Sequence, residues 1–142
     1  MPTKGRGPDY LVDTSVAVAL VLSDHPGHKA VWKALGEQRL GLAGHAAFET
    51  YSVLTRLPPP ARRTAAAASR LITVNFPQSR YLDPEAASEL LLSLAATGIA
   101  GGSVYDALVG HAAKSHGIVL ATRDQRAIDT YRALDVEFEL LV

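Results

Sequence analysis

Residues 10–15 read Tyr10-Leu11-Val12-Asp13-Thr14-Ser15, an apolar triplet followed by a carboxylate and two hydroxyls, and the chain then continues apolar to Leu22. Tyr10 to Val12 is apolar without alternation, as a strand covered on both faces must be. Asp13 and Thr14 lead into a helix predicted over Ser15 to Leu22. A buried strand passing directly into a helix is the first half of a right-handed βαβ unit. Asp13 then stands at the carboxyl end of a parallel strand, where open α/β sheets bind ligands. Capping the following helix is the competing role for the same side chain.

The pattern recurs at Ile118-Val119-Leu120-Ala121, which runs through Thr122 and Arg123 to Asp124. Weaker strand patterns cover Leu40 to Ala43 and Arg80 to Leu82. Val136 to Leu141 alternates Val136, Phe138 and Leu140 with Glu137 and Glu139, so one of its faces is wet and it belongs at a sheet edge. Helical patterns fall at Ser15 to Leu22, Gly27 to Gln38, Ala46 to Leu57, Ala61 to Val74, Pro84 to Thr97, Val104 to Ser115 and Gln125 to Leu134. This alternation predicts an α/β fold, a three-layer α/β/α sandwich around a five-stranded, mainly parallel sheet.

A chain of 142 residues is the size of one domain. The polar stretch 1–8, with Lys4 and Arg6, reads as a flexible tail, and 9–142 as the folded unit. Pro58-Pro59-Pro60 and Gly98 to Gly102 are too short to be linkers. The tail lacks the apolar region of a signal peptide, and the apolar stretch Tyr10 to Leu22 is too short and too interrupted to span a bilayer, so no membrane association is expected. The chain has no cysteine, which excludes disulfides, thiol nucleophiles and thiolate zinc sites and fits a cytoplasmic location. Fourteen basic residues balance fourteen acidic ones, so a nucleic-acid partner would have to be held by local contacts and not by a global positive field.

Asp106 lies among Val104, Ala107, Leu108, Val109, Ala112 and Ala113, which predicts a helix buried on nearly every side. A carboxylate there needs compensation, and no lysine or arginine is near it in sequence until Lys114, which leaves a distant side chain or a metal. Glu49 sits at the margin of the apolar stripe of its helix and, taken alone, reads as a surface residue. Several carboxylates gathered at one sheet end would make an oxygen-only site, which favours magnesium or manganese over zinc or copper. His25, His28, His111 and His116 have spacings open to metal ligation but read as surface residues. Gly101-Gly102-Ser103 reads as a turn before the Asp106 helix, not as a phosphate loop. Arg123 and Arg126 flank Asp124 and are either phosphate contacts or plain surface arginines.

The strings Val12-Asp13-Thr14-Ser15, Ala47-Phe48-Glu49-Thr50, Gly101-Gly102-Ser103-Val104-Tyr105-Asp106-Ala107-Leu108 and Leu120-Ala121-Thr122-Arg123-Asp124, in this order, resemble the PIN-domain family. The segment Glu49 to Pro60 and the Asp24-His25-Pro26 start of the second helix resemble its VapC-type toxins. The resemblance implies an endoribonuclease in which Asp13, Glu49, Asp106 and Asp124 bind one or two Mg2+ ions, Mn2+ being an alternative. Asp13 and Asp106 are the expected direct ligands, with Glu49 and Asp124 acting through water or on a second ion. Thr14, Ser15 and Thr122 would support them by hydrogen bonds. The same resemblance implies an RNA substrate, a homodimer and a VapB-type antitoxin whose C-terminal segment fills a groove toward the site. The small-residue helix near Ala61 to Ser69 is one candidate wall of that groove. Two rivals are a phosphotransfer receiver or aspartate-nucleophile phosphatase, which also use an aspartate at a strand end, and a catalytically weak PIN-fold binding module. The phosphatase would want an aspartate two residues after Asp13, where Ser15 stands; the binding module would be marked by a broken acidic set.

Overall fold

The computed structural model describes residues 7–142. Four strands form one parallel sheet: β1 (Tyr10–Val12), β2 (Leu40–Leu42), β3 (Leu120–Thr122) and β4 (Phe138–Leu140), in the order β2-β1-β3-β4. The pairings Val12↔Leu42, Val12↔Ala121 and Ala121↔Glu139 set their register. Leu11, Val12 and all of β2 and β3 are buried, as strands between two helical layers must be. The edge position of β4 agrees with its exposed Glu137 and Glu139.

The helices are α1 (Thr14–Val21), α2 (His28–Leu35), α3 (Ala46–Arg56), α4 (Ala65–Asn75), α5 (Pro84–Thr97), α6 (Ser103–His116) and α7 (Ile128–Ala133), the last preceded by a 3-10 turn at Gln125–Ala127. They pack in two groups: α1 meets α2 and α3, and α3 meets α4, while α5 meets α6 and α6 meets α7. The main core joins the sheet to both groups through Val16, Leu20, Val31, Leu35, Val109, Tyr131 and their neighbours. A small second core of Leu22, Leu54 and Ala68 holds α4 onto α1 and α3. The helix expected from Ala61 starts only at Ala65, because Thr64 is the cap: its Oγ1 accepts the Ala67 N–H at 3.1 Å. No helix among the described residues is long and apolar enough to cross a membrane.

The sheet has four strands where five are expected. Arg80 makes a single parallel bridge to Ala43, and Tyr81 and Leu82 extend no ladder. Before that bridge the Leu42 N–H donates to Ser79 Oγ at 2.9 Å in place of a main-chain carbonyl, while the Gln78 and Arg80 N–H groups donate to the Leu40 and Leu42 carbonyls at 3.1 Å, so the pairing is reduced to one bridge. Residues 78–80 still run along β2, close enough that a Cβ on Gly41 would lie 2.1 Å from the Gln78 carbonyl oxygen. Of the expected tail, residues 1–6 fall outside the described residues. Gly7 is held, its carbonyl accepting from Arg39 Nε at 3.0 Å, and Arg39 also pairs with Asp9 at 2.9 Å.

Candidate functional site

Asp13 both caps α1 and organises the carboxyl end of the sheet. Its extended backbone lets Oδ1 accept the Val16 N–H at 3.2 Å, which is the expected cap. Oδ1 also accepts from Ser15 Oγ at 2.5 Å, while Oδ2 accepts from Thr122 Oγ1 and from Tyr131 Oη at 3.0 Å. Four donors thus surround a carboxylate that is 5% exposed. Burial pushes its pKa up, and the bonds from Ser15, Thr122, Val16 and Tyr131 oppose that shift.

The same hydroxyls reach onward. Ser15 Oγ accepts the Arg123 N–H at 2.8 Å and Thr122 Oγ1 accepts the Asp124 N–H at 3.0 Å, so the loop after β3 is stitched to the start of α1. Thr14 Oγ1 donates to Glu49 Oε1 at 2.6 Å, which ties the first turn of α3 to that of α1. Of the residues expected to support the acids, Thr14 therefore bonds to Glu49, and Ser15 and Thr122 bond to Asp13. Asp124 Oδ1 accepts the Arg126 N–H at 3.0 Å, capping the 3-10 turn, and faces Arg126 Nε at 3.6 Å.

Asp106 differs from the other three. The α6 helix is not buried on every side as its composition suggests: Tyr105 is exposed and Asp106 only half-buried. Its carboxylate accepts no side-chain hydrogen bond among the described residues. Burial pushes its pKa up to about 6, reinforced by the charges of Asp124, Asp13 and Glu49 and weakly opposed by Arg126. Asp124, Asp13 and Glu49 therefore all lie close enough to Asp106 for their charges to act on it. Among the described residues no three acidic or histidine side chains stand close enough together to hold a metal ion as they are placed. The donor chemistry is nonetheless all oxygen, and Asp106 is the member with no partner among the described residues, so in chemistry the set suits a hard divalent cation.

Tyr131 was not legible as a site residue. Its position on the stripe Ala127, Ile128, Tyr131 and Leu134 reads as core, and it is 1% exposed. The one signal available was general, that a buried tyrosine hydroxyl needs a partner. The histidines set aside from the site are engaged elsewhere: His25 Nδ1 accepts the Gly27 N–H at 2.9 Å, His28 Nδ1 donates to the Ala19 carbonyl at 2.9 Å and His116 Nε2 to that of Tyr81 at 2.7 Å. His111 lines a polar cleft with Asp83, Glu89 and Lys114 that contains none of the four acids. The Arg123 guanidinium lies over Gly27, where an added Cβ would come within 2.4 Å of Cζ.

Residues 10–133 match the model of the PIN domain. Among curated proteins the chain is 48% identical over 131 residues to Ribonuclease VapC40 of Mycobacterium tuberculosis, covering 91% of this chain and 96% of that one. It is 46% identical over 129 residues to Ribonuclease VapC27 of the same organism, covering 91% and 94%. In fold it is similar to the crystal structure of VapBC2 from Rickettsia felis bound to a DNA fragment from their promoter, with a TM-score of 0.66 at 12% identity over 94% of this chain and 98% of that one.

Proposed function

The chain belongs to the PIN-domain family, and from that membership we propose that it is a metal-dependent endoribonuclease, the toxin of a VapBC-type toxin–antitoxin pair. The carrying observation is the unpartnered carboxylate of Asp106, raised toward a pKa of about 6 by burial and by the charges of Asp124, Asp13 and Glu49. Acids that repel one another at a sheet end, with one of them lacking any donor, are suited to a divalent cation.

Asp106, Glu49 and Asp124 would hold the ion, Mg2+ or Mn2+, and Asp13 would join them where one of its four donors yields. Such an ion, when bound, supplies an activated water and neutralises charge developing on the phosphate. Thr14 orients Glu49 through its 2.6 Å bond. Ser15, Thr122 and Tyr131 hold the Asp13 carboxylate in one orientation before the substrate arrives. Arg126, exposed and paired to Asp124 only at 3.6 Å, is free to turn toward an RNA phosphate. The partner would be a VapB-type antitoxin, with its C-terminal segment reaching the site along a groove beside α4.

The test is cleavage by the purified chain of a pool of structured and single-stranded RNAs. Magnesium or manganese should support cleavage and a chelator should stop it, and Asp106→Asn should lower the rate by at least a hundredfold, on the order of 3 kcal/mol. In cells, expression without a partner should arrest growth and Asp13→Asn should not. Cleavage that survives exhaustive chelation, or equal arrest by both chains, overturns the proposal.

A further inference from the structure

Two ring pairs, each with one member at the start of α3, have no part in the chemistry proposed above. His45 and Tyr105 are stacked, their centroids 5.1 Å apart and their planes 28° apart, and Phe48 and Tyr81 meet at 6.2 Å and 55°. His45 lies one turn before Glu49 at the start of α3, and Tyr105 immediately precedes Asp106 in the first turn of α6. The stack therefore joins the two helix starts that carry two of the four acids. Even so, Tyr105 is 54% exposed and Phe48 68%. Single exposed aromatics need no explanation. Here, however, both pairs meet at the start of α3, the helix that carries Glu49, and His45 covers one face of Tyr105, which restricts its swing and leaves the ring half exposed.

Charge gives the second part of the case. The chain carries fourteen basic and fourteen acidic residues, and the site itself is acidic. No global positive field therefore adds to attraction for the phosphate backbone, and affinity has to come from local contacts. Stacking of a base on an aromatic ring is independent of net charge and contributes comparably to single-strand binding. A base in a continuous duplex has no free face, so only an unpaired base is available for such a contact.

Resting on the nuclease reading above, we propose that Tyr105, backed by His45, is the stacking platform for an unpaired base next to the RNA phosphate held at the acids. Tyr105 is then a substrate-positioning residue, and Phe48 with Tyr81 extends the apolar path for a neighbouring base.

The experiment uses the full chain and an oligouridylate carrying a single 2-aminopurine, with calcium in place of magnesium so that the acids are charge-compensated and binding is read apart from cleavage. The wild type should quench the 2-aminopurine on binding. Tyr105→Leu should weaken Kd roughly tenfold and remove the quenching, Tyr105→Phe should restore both, and His45→Ala should give a smaller loss. With magnesium, Tyr105→Leu should act mainly on KM, because a base contact made equally in ground and transition states is uniform binding. A wild type that cleaves RNA while Tyr105→Leu binds and quenches equally well overturns the platform and leaves the nuclease standing. A wild type that neither binds nor cleaves overturns both. If Tyr105→Leu instead weakens a dimer or an antitoxin complex and leaves RNA binding intact, the rings are a protein interface and the proposal is wrong. Should Tyr105→Leu fail to fold, the wild-type quenching and the His45→Ala affinity decide the question.

Discussion

Asp106 has an ordinary pKa of 3.8 and is raised to about 6 in the fold, so between those values the folded chain holds a proton that the unfolded chain has released. Stability from this group is therefore lost as pH rises through about 4 to 6 in the absence of a cation. In chelator, Asp106→Asn should melt no lower than the parent, and its advantage should grow across that window and level off above it. Magnesium should reverse the order, stabilising the parent by about 2.7 kcal/mol at a hundredfold excess over Kd and the variant far less. Thermal unfolding at low ionic strength checks both parts. A variant much less stable in chelator, with an undiminished magnesium shift, would show Asp106 to be a structural acceptor. Tyr131→Phe keeps the buried ring and removes only the hydroxyl that donates to Asp13 at 3.0 Å. It should cost about 1–2 kcal/mol in urea unfolding, because a buried carboxylate loses one donor, and it should lower kcat with little change in KM.

Between elements, the close approach of α6 and α7 depends on a missing side chain. A Cβ on Gly110 would lie 2.9 Å from Tyr131 Cδ1 and 3.0 Å from Val136 Cγ2, and the Tyr131 ring cannot shift without moving its hydroxyl from Asp13. Gly110→Ala should therefore destabilise by about 1–3 kcal/mol, outweighing the gain of about 1 kcal/mol in helix propensity, and should reduce activity as well. Gly102→Ala is the control at the start of the same helix, since nothing stands within 4 Å of an added Cβ there and its backbone is helical. Chemical denaturation of the two variants side by side tests the difference. The opposite case is the edge of β2, where the strand expected over Arg80 to Leu82 is reduced to a single bridge at Arg80 and the Ser79 hydroxyl takes the Leu42 N–H.

At the scale of the whole molecule, α5 carries Leu91 and Leu92 at 71% and 82% exposure, side by side on a helix otherwise rich in alanine. Two large aliphatic side chains held in water are costly to leave uncovered. The homodimer implied by the family resemblance would cover them. Light scattering should give twice the mass of the chain, and Leu92→Glu should shift the population to monomer without lowering the melting temperature of the monomer itself. A parent that is monomeric at high concentration would refute this assignment of the face.

The order of elements and the places of Asp13 and Asp124 were legible in the sequence because they depend on neighbours: an unbroken apolar triplet makes a buried strand, and the residue after it stands at the strand end. The same local logic placed β4 at an edge and found most helices. Glu49 and Asp106 were legible as site acids only through their order along the chain and the family resemblance. What joins these residues was decided by tertiary structure. Thr122 and Asp13 are 109 positions apart and Tyr131 and Asp13 118, and they meet because β1 and β3 pair in parallel with Val12 opposite Ala121. Neither periodicity nor composition contains that register. The half-burial of Asp106, the reduction of the fifth strand to a single bridge and the hydroxyl of Tyr131 all belong to this second class, because each follows from which surfaces meet across the sheet and not from the residues beside it in the chain.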